Sequence, residues 1–352
     1  MGLTEPEQAS LKASEFRMKR GVIMKWKMNL IIVLILTIGA ALVCTAASVR
    51  IEEWSIPSGE KFPHDPAVAP DGALWYTGMG SNSLGRLDVK SGRFRTYPLK
   101  TPDSGPHGLV ADREGNIWFT ANYKGYIGRL DPKSGTVTEY PLPDKAARDP
   151  HTPVFDAQGT LWFTVQQSNF IGRLDPSTGK IVLKRPPTSD AKPYGIAVNS
   201  RGIPFFCEFG TNRIASIDPE TMKISEYLLP KGARPRRIAI TSDDLVWYTD
   251  YRRGYLGRLD PSTSRVEEWP SPGGADSGPY GTTVTPDGMV WYSESGVKPN
   301  TMVRFDPQTK KFATWPVPSG GGVIRNMAAT PQGDIYIACS GVYKVGVVRV
   351  EK

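Results

Sequence analysis

Cysteine and histidine are the scarce residues of this 352-residue chain, with three of each. Three thiols leave no room for a disulfide framework or a cysteine-rich zinc module. Clustered charge is missing as well. Of a formal net charge of +8, residues 1–29 hold +3, from Lys12, Arg17, Lys19, Arg20, Lys25 and Lys27 against Glu5, Glu7 and Glu15, and the rest is scattered singly. Binding to phosphates needs a basic stripe, so nucleic acid is not an expected partner. A long apolar run occurs in one place, LIIVLILTIGAALVCTAA at residues 30–47.

That uncharged run is long for a signal-peptide core and just long enough to cross a bilayer. Basic residues ahead of it place the N-terminus in the cytoplasm and the remainder outside. Thr45, Ala46 and Ala47 are small enough for a cleavage site, and translation starting at Met24 or Met28 would make the segment an ordinary signal peptide. Cys44 follows Val43, a poor fit to a lipoprotein signal. The expectation is a basic tail over 1–29, a signal peptide or transmembrane anchor over 30–47, and a folded part in the periplasm or outside the cell, secreted or anchored. The membrane is a partner only through that segment.

Glycine (36), proline (31) and aromatic residues (10%) are plentiful, as many turns joined by short aromatic strands would require and a helical bundle would not. The chain aligns on itself with a period of 42 to 45 residues, through DGALWYT, EGNIWFT, QGTLWFT, RGIPFFC, DDLVWYT, DGMVWYS and QGDIYIA. The anchors are Trp75, Trp118, Trp162, Phe205, Trp247, Trp291 and Tyr336. Each unit continues with a strand such as IGRLD, a turn such as Asp131-Pro132-Lys133-Ser134-Gly135 or Asp175-Pro176-Ser177-Thr178-Gly179, and an alternating strand. Proline presets φ in these turns and glycine takes the left-handed position.

Proline recurs in the fourth strand, at Pro98, Pro141, Pro186, Pro230, Pro270 and Pro316. It cannot donate to a ladder, so that strand is the outer edge. The last unit has three strands, and residues 51–57 (IEEWSIP) form an orphan fourth. Closing the ring with that orphan removes the open edges. The fold expected over 51–352 is all-β, one seven-bladed β-propeller of four-stranded antiparallel blades closed by the N-terminal strand.

In a propeller the first strand of each blade lines the central channel. Eleven residues before the anchors stand His64, His107, His151, Tyr194, Arg236, Tyr280 and Arg325, so all three histidines share one repeat position. Three residues after the anchors stand Gly78, Ala121, Val165, Glu208, Asp250, Glu294 and Cys339. The channel mouth is therefore expected to carry an imidazole arc facing carboxylates. Imidazole exchanges protons near neutrality, and carboxylates hold a hard cation such as Mg²⁺. Plain structural readings stand beside these: a salt bridge between Arg236 and Asp250, and hydrogen-bonded plugs pairing Tyr194 with Glu208 and Tyr280 with Glu294. Cys207 and Cys339 read as unpaired core thiols.

The repeat, clearest in PHGLVADREGNIWFTANYKGYIGRLDPKSGTVTEYPLP at residues 106–143, resembles the virginiamycin B lyase (streptogramin lyase) family across all seven units. The resemblance implies a propeller that opens a cyclic depsipeptide at its ester by elimination, with Mg²⁺, histidines from Pro-His motifs in two consecutive blades, and a glutamate ending the adjoining strand. The Pro-His motifs here are Pro63-His64, Pro106-His107 and Pro150-His151, while Phe119-Thr120-Ala121-Asn122 and Phe163-Thr164-Val165-Gln166 have no acid after the anchors.

The expected function is that of an exported, monomeric carbon–oxygen lyase whose ligand is a small molecule or cyclic peptide at the channel mouth. His107 or His151 is the base and the other steadies the leaving oxygen, His64 is a further catalytic candidate, and Tyr194, Arg236, Tyr280 and Arg325 bind the ligand. A metal, Mg²⁺ by the resemblance, is held by some of Glu208, Asp250 and Glu294. Two rivals are a non-catalytic binding propeller using the loops at 143–150 and 271–279, and a metal-dependent lactone hydrolase.

Overall fold

The computed structural model describes residues 48–351 continuously, with residues 4–6, 9, 15, 17 and 18 before them. The apolar run at 30–47 lies outside the described residues, and among those described no helix is long and apolar enough to cross a membrane.

Seven four-stranded antiparallel sheets form from Val49 to Val350, six of them from consecutive strands with the first strand of each unit at one edge and the fourth at the other. The seventh sheet combines Ile324–Ala329, Ile335–Cys339 and Lys344–Val350 with the N-terminal strand Val49–Ser55. That strand pairs from Val49↔Val350 to Ser55↔Lys344, closing the ring as expected and starting two residues earlier than the sequence pattern indicated.

The repeated letters have packing reasons. The anchor tryptophans Trp75, Trp118, Trp162, Trp247 and Trp291 are fully buried. Aromatics of the fourth strands pack on four of them, Tyr97 on Trp75, Tyr140 on Trp118, Trp269 on Trp247 and Trp315 on Trp291, with ring centroids 5.1–5.6 Å apart. The glycine of the GRL motif sits opposite the next aromatic of the second strand, as in the pairs Tyr76↔Gly85, Phe119↔Gly128 and Phe163↔Gly172. A Cβ at Gly128 would lie 2.1 Å from the Phe119 ring, so only a bare backbone leaves room for it. The DPxSG turns close as expected: Gly135 has φ 74° and its N–H donates to the Asp131 carbonyl at 2.8 Å.

Every first strand breaks register at the same place. In the first unit Pro63 pairs with Gly78 and Pro66 with Tyr76, so His64 and Asp65 together face the single residue Thr77. The same two-against-one bulge recurs in the other six units. A bulge frees two residues from the ladder and re-aims their side chains. Here it delivers two rings of side chains to the channel.

Candidate active site at the propeller channel

The upper ring is the row singled out in the sequence. His64, His107, His151, Tyr194 and Tyr280 are all buried. Their rings follow one another around the channel, with centroid separations of 3.9 Å for His64–His107, 3.9 Å for His107–His151 and 4.1 Å for His151–Tyr194. The Tyr194 and Tyr280 hydroxyls hydrogen-bond to each other. The Arg236 guanidinium lies over Tyr280 and Tyr251, at 3.8 and 4.2 Å from the ring centroids, with Phe209 and Tyr194 at 5.0 and 5.2 Å. Arg325 covers Phe62 at 4.8 Å, beside the histidine end of the row. The channel wall is thus a row of mutually tilted planar groups, a setting in which guanidinium is favoured over ammonium.

The three imidazoles are kept neutral. Burial pushes the His64 pKa down against the pull of Asp65, and it pushes His107 and His151 well down, helped by the neighbouring imidazole in each case. His64 Nδ1 lies 2.8 Å from Asp65 Oδ1, and His151 Nδ1 lies 2.8 Å from Thr152 Oγ1. His107 Nδ1 is buried without a partner.

The lower ring consists of Asp65, Gly108, Thr152, Gly195, Arg237, Gly281 and Asn326, the second residue of each bulge. Blades two, four and six supply glycine, which leaves the narrow axis to four side chains. Arg237 reaches across it from the fifth blade to the first, donating from Nη2 to both Asp65 oxygens at 3.1 Å. Its Nη1 donates to Thr152 Oγ1 at 2.9 Å and its Nε to the Arg325 carbonyl at 3.0 Å. Asn326 Nδ2 adds a bond to Asp65 Oδ2 at 3.0 Å. Burial opposes ionisation of Asp65, but the Arg237 charge and the His64 bond outweigh it and hold the carboxyl below its usual range. On the far side a cavity of about 330 Å³ ends on Thr152, Arg237 and Asn326.

Asp65, Thr152, Arg237 and Asn326 were missed by the sequence reading. Their signal was the repeat position one residue after the histidines, where glycine alternates with polar residues.

The acids lie elsewhere. Asp250 accepts the backbone N–H groups of Arg234, Arg252 and Arg253 and pairs with Arg253 Nε at 2.5 Å. Glu294 accepts from Ser271, Gly273 and Thr301, each at 2.6 Å. Glu208 accepts from Thr211 at 3.1 Å, and burial, followed by the charge of Glu226, pushes it up to about 8. A second-strand side chain stands on the face of its blade, and blade faces look at neighbouring blades. The three acids are thus taken up by donors of their own surroundings, and among the described residues none of them joins the histidines in a metal-holding group. For the same reason the expected Arg236–Asp250 bridge and the Tyr194–Glu208 and Tyr280–Glu294 plugs give way to Arg253–Asp250, the aromatic box around Arg236 and the Tyr194–Tyr280 bond. Among the described residues, the group of side chains able to hold a metal ion is His64, Asp65 and His107, whose ligand atoms lie within 4.8 Å of one another. Cys207 and Cys339 are buried and free, as expected.

Comparison with known proteins agrees with this architecture. The profile described as the virginiamycin B lyase family matches residues 37–206 and 187–352. The chain belongs to that family. A solved streptogramin B lyase superposes with a TM-score of 0.78 at 26% identity, covering 86% of this chain and 98% of the other. Virginiamycin B lyase from Staphylococcus aureus gives 0.77 at 25% identity, over 86% and 100%. A catalytically inactive variant of that lyase, solved with quinupristin, gives 0.77 at 24%, over 86% and 100%. No curated protein matches the chain. Family membership thus accounts for the propeller.

Proposed function

We propose that this virginiamycin B lyase-family propeller opens an ester in a cyclic small molecule or peptide by elimination, acting outside the cytoplasm as a monomer. The observation that carries the reading is the arc of three closely packed, neutral imidazoles at the channel. Elimination removes a proton from the carbon next to a carbonyl. The C–H electrons form a C=C bond, the adjacent C–O bond breaks, and the acyl oxygen leaves as carboxylate. One imidazole of the arc takes the proton, and another hydrogen-bonds the departing oxygen. Arg236 with Tyr251 and Tyr280 provides a flat, cationic surface to position the ring-opened acyl part.

Magnesium, the cation that the family implies, does not fit the residues present. It demands near-octahedral oxygen ligands, whereas His64, Asp65 and His107 offer two nitrogens and a carboxylate. Both Asp65 oxygens are already taken by Arg237, with His64 and Asn326 adding further bonds.

Ring opening of a cyclic ester in ¹⁸O-labelled water tests the reading. The expected product is dehydrated and carries no solvent oxygen, and single alanine replacements of His64, His107 and His151 lower kcat by about 10²–10⁴-fold. Incorporation of one solvent oxygen would show lactone hydrolysis instead. A second reading, a binding propeller, is favoured by a cavity of about 480 Å³ on the side of Tyr251, lined by Phe209, Arg234, Arg252 and by Ala275 and Asp276 of the 271–279 loop. Ligand binding with no turnover, unaffected by the histidine replacements, would select it.

A further inference from the structure

We propose that Arg237, acting through Asp65 and Thr152, fixes His64 and His151 in opposite neutral tautomers, so that the arc presents a proton acceptor at one end and a proton donor at the other.

The argument is a count of donors and acceptors. A guanidinium has donors only, so each Arg237 contact fixes its partner as an acceptor. Asp65 is an acceptor on both oxygens, towards Arg237 and Asn326, and His64 Nδ1 must therefore donate to it. With its hydrogen on Nδ1, neutral His64 carries a lone pair on Nε2. At the other end Thr152 Oγ1 accepts from Arg237 Nη1 at 2.9 Å. Its hydroxyl hydrogen is then directed to the remaining partner, His151 Nδ1, at 2.8 Å. Neutral His151 consequently holds its hydrogen on Nε2. The reverse arrangement would leave the buried Thr152 hydroxyl hydrogen without an acceptor, which a site this enclosed penalises. Both contacts are made by a single buried guanidinium that joins the first, third and fifth blades, and His107 packs between the two polarised rings.

The catalytic meaning of this asymmetry rests on the elimination proposed above. It assigns proton abstraction to His64 Nε2 and the hydrogen bond to the leaving oxygen to His151 Nε2–H, with Arg237, Asp65 and Thr152 as positioning residues. The tautomers themselves do not depend on it.

Three histidines in the whole chain make the test direct. Two-bond ¹H–¹⁵N correlation spectra of the ¹⁵N-histidine-labelled protein at mildly alkaline pH contain three ring systems, assigned by single replacement with glutamine. The expected result is protonated Nδ1 with free Nε2 in His64 and the reverse in His151. Thr152→Val should move the His151 Nδ1 signal toward the value of an unbonded nitrogen and leave His64 unchanged, and Thr152→Ser should restore it. Arg237→Met should disturb both rings. It removes a buried charge, so Thr152→Val decides the matter if Arg237→Met does not fold. The same tautomer in both histidines, or a His151 signal indifferent to Thr152→Val, overturns the proposal. Opposite tautomers in a protein that opens no ester would leave it standing and remove the elimination.

Discussion

Glu208 illustrates at the scale of one residue how the meaning of an acid depends on which strand of a blade carries it. Read as a letter at the end of a second strand, it looks like a ligand for a hard cation. In the fold it is sealed on a blade face, with Oε1 buried and unpartnered and Oε2 bonded to Thr211. Burial and the neighbouring Glu226 raise it from 4.5 to about 8, so at neutral pH it is a neutral acid. The sign of the linkage follows. A carboxyl with a raised folded-state value contributes stability that is complete below the unfolded value near 4.5, shrinks as pH rises, and is gone above about 8. Melting temperatures of the protein and its Glu208→Gln variant, taken from pH 5 to pH 9, should therefore diverge. The unsubstituted protein loses stability relative to the variant over that range, and parallel curves would show that Glu208 ionises normally. The position was legible in the sequence but its orientation was not, because alternation along a strand says which side chains share a face and not what that face meets.

At the scale of the element, the bulged first strand unites fold and site. The two freed residues of each bulge face one residue of the second strand, and in five blades that residue is Thr77, Thr120, Thr164, Thr249 or Ser293. The hydroxyls of Thr77, Thr120, Thr164 and Thr249 each accept a backbone N–H of their own bulge and donate to the carbonyl of the first bulge residue in the next blade, while Ser293 accepts from Gly281 and donates to the Ile324 carbonyl. Thr120 takes the Gly108 N–H at 2.9 Å and gives to the His151 carbonyl at 2.8 Å. Thr77 does the same between Asp65 and His107, and Thr164 between Thr152 and Tyr194. The backbone that carries His107 and His151 is thus pinned by the blade before each. Thr120→Val keeps the shape and removes both bonds, leaving a buried N–H and a buried carbonyl unpaired. The expected cost is about 1–3 kcal/mol in urea unfolding, with Thr120→Ser much milder. A loss near zero would mean that the bulge holds without the hydroxyl. The threonines were printed in four of the seven repeats as WYT or WFT, yet periodicity alone marks them as strand residues. Their role appears only once two residues are seen to face one. The histidine row was readable because the repeat aligns it, whereas Asp65, Thr152, Arg237 and Asn326 share a position but no residue type, so their alliance across the channel left no pattern.

At the scale of the whole molecule, the ring is only as closed as its one seam between distant parts of the chain. Val49–Ser55 supplies the outer strand of the seventh blade. The strand brings more than backbone pairing. The Glu53 carboxylate accepts the backbone N–H of Ser319 at 2.8 Å, and Ile56 is buried in a cluster with Leu74, Tyr76, Tyr336 and Val345, which belong to the first and seventh blades. Removing it exposes the Lys344–Val350 strand, whose edge and apolar Val345, Val347 and Val348 are then free to pair with another chain. A chain beginning at Ser48 should melt at the same temperature as one with the preceding segment, because the seam is intact. A chain beginning at Ser58 should instead melt several degrees lower and form larger species at higher protein concentration. A synthetic peptide of residues 49–57 should reverse both effects by mass action. Light scattering and melting curves with and without the peptide read this directly. If the shortened chain remained monomeric and equally stable, the seventh blade would hold with three strands, and the strand from Val49 to Ser55 would be an ornament on a ring closed by its blade-to-blade core.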